Sequence, residues 1–329
     1  MMEQIRSPRA ARRIGSDGKT VVVHADDGWL QKIRDGEIDF FTKLSKRISR
    51  EGLALRVTAT GGSSSKMLMA QDHVHIVVGD QPGYGRNMLH ASPAYIWGFW
   101  YFDEVGINWN SSLRFAHFDP KLINQEKAEY FFNGMSSYML RENVSRLPQD
   151  NRSETALPSA AATVFCQEIE TRADRSHYLT TETMIRTTAE QNRDSLVYVK
   201  LHPNQSKMER VRIMTICSDY TNIKISDASV HDLSQAAEIV VTQNSAAGFE
   251  ALLQKKPVIT CARSDFWHAT LSPKRPSELV EALKFGASAM AGFDYAKYLY
   301  WFLDRKCLEP QKTEFATRAF GRIRDKAFL

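Results

Sequence analysis

Two predicted strands in the C-terminal half of the chain are each followed by polar residues that could bind an anion. The strand over 239–242 (IVVT) leads to Asn244 and Ser245, where a helix is predicted to begin. Free backbone N–H groups and the positive end of the helix dipole would favour a phosphate at that point. A plain N-cap explains Ser245 equally well.

His202 and Pro203 follow the other strand, over 196–201, in VYVKLHPN. The proline ends the hydrogen-bond ladder of the strand, and the imidazole can donate a hydrogen bond to a phosphate oxygen. A single histidine at a strand end is commonly structural. Two neighbouring strand ends that both offer donors could hold one phosphate together, and this is the arrangement we predict.

Gly248 and Glu250 lie in the first turns of the helix that follows Ser245. Gly248 would let a ligand or a backbone segment approach closely, and Glu250 could accept hydrogen bonds from ribose hydroxyls. The alternative is that Gly248 serves helix packing and Glu250 complements the helix dipole.

Acidic residues follow further predicted strands and could act as acid, base or nucleophile. The candidates in FCQEIETRADRS (165–176) and YFDEVGINWNSS (101–112) are Glu168, Glu170, Asp174, Asp103 and Glu104. A solvated helix N-terminus rich in acids is the alternative for the first group. No DxD motif stands between strands, so we expect no metal in the chemistry. Asp26, Asp27 and Gly28 are interpreted as a polar turn.

The elements that must position these residues follow a pattern typical of parallel βαβ units, in which apolar runs end in polar or glycine turns and alternate with helical stretches. Strands are predicted over 20–24, 53–58, 75–78, 162–165, 196–201, 222–225, 239–242 and 257–261. Helices are predicted over 35–50, 182–192, 207–217, 230–236 and 246–254, and a loop over 61–65. This pattern predicts an α/β protein with two Rossmann-like halves and a site at the carboxyl ends of their strands.

Composition excludes several classes of protein. Apolar residues make up 43% and charged residues 25% of the 329 residues, which excludes a disordered or fibrous chain. The net charge of +5 is concentrated at the two ends, and no basic run is interleaved with aromatic residues, so nucleic-acid binding is not expected. Four scattered cysteines indicate neither zinc nor disulfides and fit a reducing cytoplasm. We expect neither a signal peptide nor a membrane span.

A resemblance to a known family rests on YVKLHPN together with AEIVVTQNSAAGFEALLQKKPVIT, some forty residues later. Over residues 160–268 the chain resembles the nucleotide-binding half of bacterial capsule-synthesis glycosyltransferases, specifically the retaining β-Kdo transferases, which have a GT-B fold and use CMP-Kdo. GT-B sialyltransferases have similar His-Pro and serine motifs. The resemblance implies that His202 and Ser245, with Pro203 and Asn244 beside them, hold the CMP phosphate, and that Glu250 lies on the ribose or cytosine side.

The same resemblance implies catalytic roles. Gln167 matches a family glutamine that precedes acidic residues, one of which is the nucleophile; Asp174 is our first choice for it and Glu170 our second. Asp103 and Glu104 match an acidic pair near the acceptor, although Val105 intrudes before the glycine, and Glu104 is expected to deprotonate the acceptor hydroxyl. Asp27 is retained as the base of a rival, inverting mechanism because GT-B sialyltransferases have a similar Asp-Asp-Gly motif.

We therefore expect a cytoplasmic glycosyltransferase, without a cofactor, that moves Kdo from CMP-Kdo to a saccharide or glycolipid. A non-catalytic capsule-assembly protein with the same fold is a further alternative. The predicted domains are a basic leader (1–19), an acceptor-side domain (20–150), a CMP-sugar domain (151–290) that starts after a polar stretch, and terminal helices (291–329) that cross back to the first domain. The aromatic C-terminal stretch is expected to pack in the core, with contact to the inner membrane as the alternative.

Overall fold

A computed structural model describes residues 2–14, 20–80 and 83–327. The predicted basic leader therefore lies partly outside the described residues. The chain divides into two compact units. Unit 1 comprises Met1–Ala94, Gly98–Ser112 and Leu303–Leu329, and unit 2 comprises Tyr95–Trp97 and Leu113–Phe302.

Unit 1 is built, within its described residues, on a six-stranded sheet in the order β1-β3-β2-β4-β5-β6. The strands are β1 (Glu3–Gln4), β2 (Thr20–Ala25), β3 (Ala54–Ala59), β4 (Val74–Val78), β5 (Met88–Pro93) and β6 (Trp100–Asp103). The helices in the first part of the chain are α1 (Pro8–Arg12), α2 (Asp27–Asp35), α3 (Asp39–Arg50) and α4 (Ser63–Met69). All strand pairs are parallel except β5 with β6, which is antiparallel.

Unit 2 contains a five-stranded sheet, counted over the described part of the chain, in the order β11-β10-β7-β8-β9. Its strands are β7 (Ala160–Phe165), β8 (Val197–Lys200), β9 (Ile223–Ile225), β10 (Ala237–Thr242) and β11 (Val258–Thr260). Its helices are α5 (Gln125–Arg141), α6 (Thr181–Gln191), α7 (Lys207–Ser218), α8 (Val230–Ala236), α9 (Ala246–Ala251), α10 (Pro276–Met290) and α11 (Tyr295–Leu299). Every pair is parallel, and the order is that of a Rossmann sheet. The predicted α/β class with two Rossmann-like sheets is confirmed.

Short helical segments complete the chain. They are the 3₁₀ turns Asn108–Asn110, Ser112–Phe115, Pro120–Leu122, Leu252–Gln254 and Trp267–Ala269, and a π-helix at Tyr300–Lys306. The last helix, α12 (Phe315–Ala327), belongs to unit 1 and packs against α3.

The core of unit 1 explains why its strands read as uninterrupted apolar runs. Strand β2 is buried along its whole length between β3 and β4, so both of its faces need apolar side chains. Phe40 of α3 packs against Trp100 and Phe315, with ring centroids 4.8 and 5.1 Å away, and this contact joins α3, β6 and α12.

The topology of unit 2 fixes where its site can lie. From β7 the chain goes to β8 and β9 on one side, and then returns to place β10 and β11 on the other side. The order therefore reverses between β7 and β10. In open α/β sheets, ligands bind outside the carboxyl ends of the strands at such a switch point.

Two local predictions in unit 1 are wrong, and one helix begins later than predicted. Asp26, Asp27 and Gly28 are not a turn: the Asp26 carboxylate accepts a hydrogen bond from the Trp29 N–H at 3.0 Å and caps α2, so that Asp27 lies in its first turn. The helix predicted over 35–50 is present as α3, but it begins at Asp39, because a separate helix, α2, precedes it and ends at Gly36 with φ of 80°. The predicted loop over 61–65 ends early, because α4 begins at Ser63.

The two units divide the chain differently from the predicted boundary at residue 150. Residues 113–150 belong to unit 2, where α5 packs against α11. The polar stretch over 140–159 is thus a surface segment of unit 2. The chain returns to unit 1 at Leu303, within the predicted terminal segment 291–329.

The aromatic C-terminal stretch is buried. Tyr298 and Phe302 are both fully buried, so these rings are not available to a membrane surface. Arg322 donates hydrogen bonds to the carbonyls of Phe102 and Lys306. Within the described residues, no helix combines the length and apolar character needed to cross a bilayer.

Candidate functional site

A hydrogen-bonded belt joins the carboxyl ends of β7 and β10, at the switch point of unit 2. The Asn244 backbone N–H donates to Gln167 Oε1 at 2.8 Å, and Gln167 Nε2 donates to Asn244 Oδ1 at 3.3 Å. Gln167 is the second residue after β7, and Asn244 the second after β10. Two hydrogen bonds of opposite direction thus join Gln167 and Asn244 at the switch point.

The belt extends to the end of β8. The His202 N–H donates to Gln205 Oε1 at 2.8 Å, and Gln205 Nε2 donates to the Gln167 carbonyl at 3.4 Å. Gln205 is itself buried. We define these residues, His202, Gln205, Gln167 and Asn244, as the strand-end belt.

The expectation that the two anion-binding strand ends are neighbours is wrong. Strand β7 lies between β8 and β10. Since adjacent strands are about 4.8 Å apart, the two ends are separated by about 10 Å. The central position is occupied by Gln167, so a ligand that reaches both His202 and Ser245 must extend over the end of β7.

His202 has a defined tautomer. The Asn204 backbone N–H donates to His202 Nδ1 at 3.1 Å, so in the neutral ring the proton is on Nε2. Burial, and then the positive charge of Arg172, lower the pKa of His202. The ring is therefore neutral near pH 7, and its Nε2–H has no acceptor among the described residues. Pro203 is exposed in the turn that follows.

Ser245 and Gly248 fit the structural interpretation of their motif. Ser245 is the N-cap of α9, and its Oγ accepts from the Ala247 N–H at 3.2 Å. This leaves the hydroxyl hydrogen available to a ligand. At Gly248 an added Cβ would lie 2.7 Å from Thr242 Cγ2, so the glycine is required by the packing of α9 against β10.

Glu250 is buried and holds another segment of the chain. Its carboxylate accepts from Ser145 Oγ at 2.8 and 2.9 Å and from the Arg146 N–H at 3.0 Å. Burial raises its pKa to about 7, and these hydrogen bonds oppose that shift. The carboxylate thus fixes the segment after α5 against α9.

The acids after β7 have different surroundings. Glu168 accepts from the Ser206 N–H and hydroxyl at the start of α7, which lowers its pKa. Glu170 accepts from the Thr181 N–H at the start of α6 and from Gln243 Nε2. Asp174 is exposed and forms an ion pair with Arg263 at 3.9 Å. Glu168 and Glu170 thus stabilise helix starts, whereas Asp174 faces solvent.

Asp103 and Glu104 in unit 1 also differ. Asp103 Oδ1 accepts from the N–H groups of Val105, Gly106 and Ser112 at 2.8 to 3.1 Å, and the Ser112 hydroxyl donates to Oδ2. Asp103 therefore closes the turn after β6. The Glu104 side chain is 56% exposed and pairs with Lys326 Nζ at 3.0 Å.

Sequence reasoning missed Arg263 and Gln205. Arg263 follows β11, and its carbonyl accepts from Asn244 Nδ2 at 2.9 Å, so it lies beside the strand-end belt. The rule that directed attention to His202 and Ser245, a polar residue just after a predicted strand, applies equally to Arg263. Gln205 carries no such signal, because it lies in the turn beyond the strand end.

The belt lies within a segment that has recognisable relatives. Residues 167–281 match the model of the family described as capsule polysaccharide biosynthesis protein. The resemblance to capsule-synthesis proteins is confirmed over this segment. It begins at Gln167 and includes His202, Asn244, Ser245 and Arg263. None of the curated proteins compared with the chain matches it.

Solved structures similar to this chain include KpsC of Thermosulfurimonas dismutans. Its beta Kdo 2,7 transferase is 17% identical with a TM-score of 0.49, over 79% of this chain and 88% of that chain. Its beta Kdo 2,4 transferase has the same identity and TM-score, over 82% and 90%. A glycosyltransferase of Rickettsia africae ESF-5 is 10% identical with a TM-score of 0.41, over 94% and 99%. At these values the likenesses carry no residue role over to this chain.

Proposed function

We propose that this protein is a glycosyltransferase that moves an acidic sugar, Kdo, from a CMP-activated donor to a saccharide or glycolipid acceptor in capsule polysaccharide synthesis. The observation that carries the proposal is the strand-end belt at the switch point of unit 2, inside the segment that matches the capsule-synthesis family. A Rossmann sheet binds nucleotides at this position.

The donor phosphate is proposed to lie over the end of β7, between His202 and Ser245. His202 would donate from Nε2, which its tautomer leaves protonated, and Ser245 would donate from its hydroxyl. Because both groups are neutral and fixed before the ligand arrives, they would stabilise the phosphate as it gains charge on leaving. Pro203 and Asn244 would position these two donors, and Gln167 would support the phosphate from below.

Glu250 is proposed to act on the nucleoside side of the donor through the segment that it holds. Both of its oxygens are engaged by Ser145 and Arg146, so Glu250 positions this segment next to α9. Gly248 would keep α9 close enough to β10 for this arrangement.

The proposed reaction proceeds with retention of configuration. A carboxylate oxygen of Asp174 attacks the anomeric carbon, and the bond from that carbon to the phosphate oxygen breaks as CMP leaves with the electron pair. Glu104 then accepts the proton of the acceptor hydroxyl, whose oxygen displaces the carboxylate. Asp103 would hold the turn that carries Glu104. Asp174 is preferred over Glu170 because it faces solvent, whereas Glu170 is engaged at the start of α6.

Calorimetry with CMP tests the nucleotide site. His202→Ala and Ser245→Ala should each weaken CMP binding about tenfold or more, the effect of one hydrogen bond to a charged group. His117→Ala, which removes an exposed histidine of the same unit, is the control and should bind CMP as the wild type does. If the wild type does not bind CMP, the proposal is refuted.

Mass spectrometry of enzyme incubated with CMP-Kdo and no acceptor tests the mechanism. Retention predicts a covalent Kdo adduct on the peptide that contains Asp174, and its loss in Asp174→Asn. A product of inverted configuration, with no adduct and with turnover abolished by Asp27→Asn, would replace this mechanism by the inverting one. CMP binding without any consumption of CMP-Kdo would instead indicate a non-catalytic assembly protein.

The proposed reaction takes place in the cytoplasm, and the proposal includes peripheral contact of the protein with the inner face of the cytoplasmic membrane. The four cysteines are buried and form no disulfide among the described residues, which fits a reducing compartment. Sedimentation with anionic vesicles tests the membrane contact. We expect the chemistry to need no metal, and turnover in EDTA tests this expectation.

A further inference from the structure

Arg114 and Arg263 are brought together beside the strand-end belt. The segment that follows Arg114 is attached to the loop after β11, since Trp267 Nε1 donates to the Arg114 carbonyl at 3.0 Å and His268 Nε2 to the Ala116 carbonyl at 2.7 Å. Arg263 lies in the same loop, and its carbonyl accepts from Asn244. Both arginines thus belong to the carboxyl-end edge of the unit 2 sheet.

Packing holds the Arg114 guanidinium in place. Its Cζ lies 4.3 Å from the centroid of the Phe115 ring, and its Nε is buried without a hydrogen-bond partner in the part of the chain that the structure describes. Burial lowers the pKa of Arg114, and the positive charge of Arg263 lowers it further. Two cations close together destabilise one another unless an anion lies between them.

A further cation lies near this pair. Lys274 Nζ lies 5.7 Å from the centroid of the Tyr178 ring, and Tyr178 in turn interacts with Arg114. Asp174 forms an ion pair with Arg263 at 3.9 Å. An anion that lies between the two arginines would relieve their mutual repulsion.

We propose that Arg114 and Arg263 bind the carboxylate of the transferred sugar and thereby select acidic sugars. This rests on the proposed function, which supplies a CMP-linked 2-keto acid sugar as donor. In such sugars the carboxylate is attached to the anomeric carbon, the same carbon that bears the phosphate and is attacked by the nucleophile. An arginine beside Asp174 and beside the proposed phosphate site is therefore where this carboxylate must lie.

The test compares binding of CMP with use of the whole donor. Arg114→Gln and Arg263→Gln should leave the Kd for CMP within about twofold of the wild type and raise the KM for CMP-Kdo about 10- to 100-fold, the effect of losing a charge-assisted hydrogen bond. Arg275→Gln is the matched control, because Arg275 is an exposed arginine of unit 2 that pairs with Glu278. Arg114→Lys and Arg263→Lys keep the charge and should recover part of the loss. If a Gln variant does not fold, the Lys variant at the same position is assayed in its place.

The methyl ester of CMP-Kdo separates a direct contact from a structural role. The wild type should lose affinity for the ester, and the Gln variants should bind the ester and the acid equally. A variant that still prefers the acid as strongly as the wild type does would overturn the proposal. Equal weakening of CMP binding would also overturn it, since the pair would then hold the phosphate. Failure of the wild type to bind CMP is different: it would refute the proposed function itself, and this proposal with it.

Discussion

Glu250→Gln should remove a dependence of stability on pH that the buried carboxylate creates. Burial raises the pKa of Glu250 from 4.5 to about 7, so between these values the folded state holds a proton that the unfolded state releases. Stability is then lost as the pH rises through this window, because the unfolded chain binds fewer protons than the folded chain. A shift of this size corresponds to about 3 kcal/mol at most, of which about 2 kcal/mol falls between about pH 5 and about pH 8.

Urea unfolding of wild type and variant at these two pH values measures the effect. The variant should gain about 2 kcal/mol relative to the wild type at the higher pH, since the glutamine amide is never ionised. Its carbonyl can still accept from the Arg146 N–H, and the Ser145 hydroxyl can turn to accept from the amide. Glu168→Gln is the control: hydrogen bonds from Ser206 lower the pKa of Glu168, so its contribution is complete above 4.5 and the difference should stay constant. An equal stability difference at both pH values for Glu250→Gln would refute the reasoning.

Three further predictions concern residues that stabilise the interior of one unit or the other. Asp103→Ala should lower the free energy of unfolding by about 2 kcal/mol, because it leaves several N–H donors without an acceptor; urea titration checks this, and an unchanged midpoint contradicts it. Burial lowers the pKa values of His24 and His75 to about 3 and about 4, so wild-type stability should fall as the pH drops below 6.5, and His75→Asn should flatten that fall in pH-dependent thermal melts. Gly248→Ala should cost about 1 to 3 kcal/mol through a clash with Thr242 Cγ2; Thr242→Ser, which removes that methyl group, should restore the loss in the double variant, and no rescue would exclude the clash as the cause.

The strands of unit 2 could be predicted from sequence because they are buried on both faces of the sheet. Such strands appear in the sequence as continuous runs of apolar residues. The runs before His202 and Asn244 are strands β8 and β10, as predicted. The order of these strands could not be predicted, since it depends on which helices cross to which face of the sheet. The placement of Gln167 between the two motifs is a consequence of that order, and so is the separation of the two strand ends.

The domain boundary shows how composition can mislead. The polar stretch over 140–159 predicts a linker, yet Glu250 and Asp232 each bind part of it: Glu250 holds Ser145, and Asp232 accepts from the N–H of Ser153 at 2.7 Å. Polar residues on a surface segment can be fixed by buried carboxylates as firmly as apolar residues are fixed by a core. Only the distant partners distinguish such a segment from a linker, and those partners come more than 70 residues later in the chain.

Distant partners also explain why the sequence alone could not rank the acids after β7 as candidate nucleophiles. Glu168, Glu170 and Asp174 have similar chemistry and spacing, and their difference arises from the helices whose first N–H groups they meet. A carboxylate that accepts at a helix start is held in place by the positive end of a dipole, and Glu168 and Glu170 are held in this way by α7 and α6. Such a carboxylate would have to break these hydrogen bonds before it could attack a sugar. Asp174 is exposed and pairs with Arg263 at 3.9 Å, and the donor carboxylate that the arginine pair is proposed to bind would compete with Asp174 for this arginine.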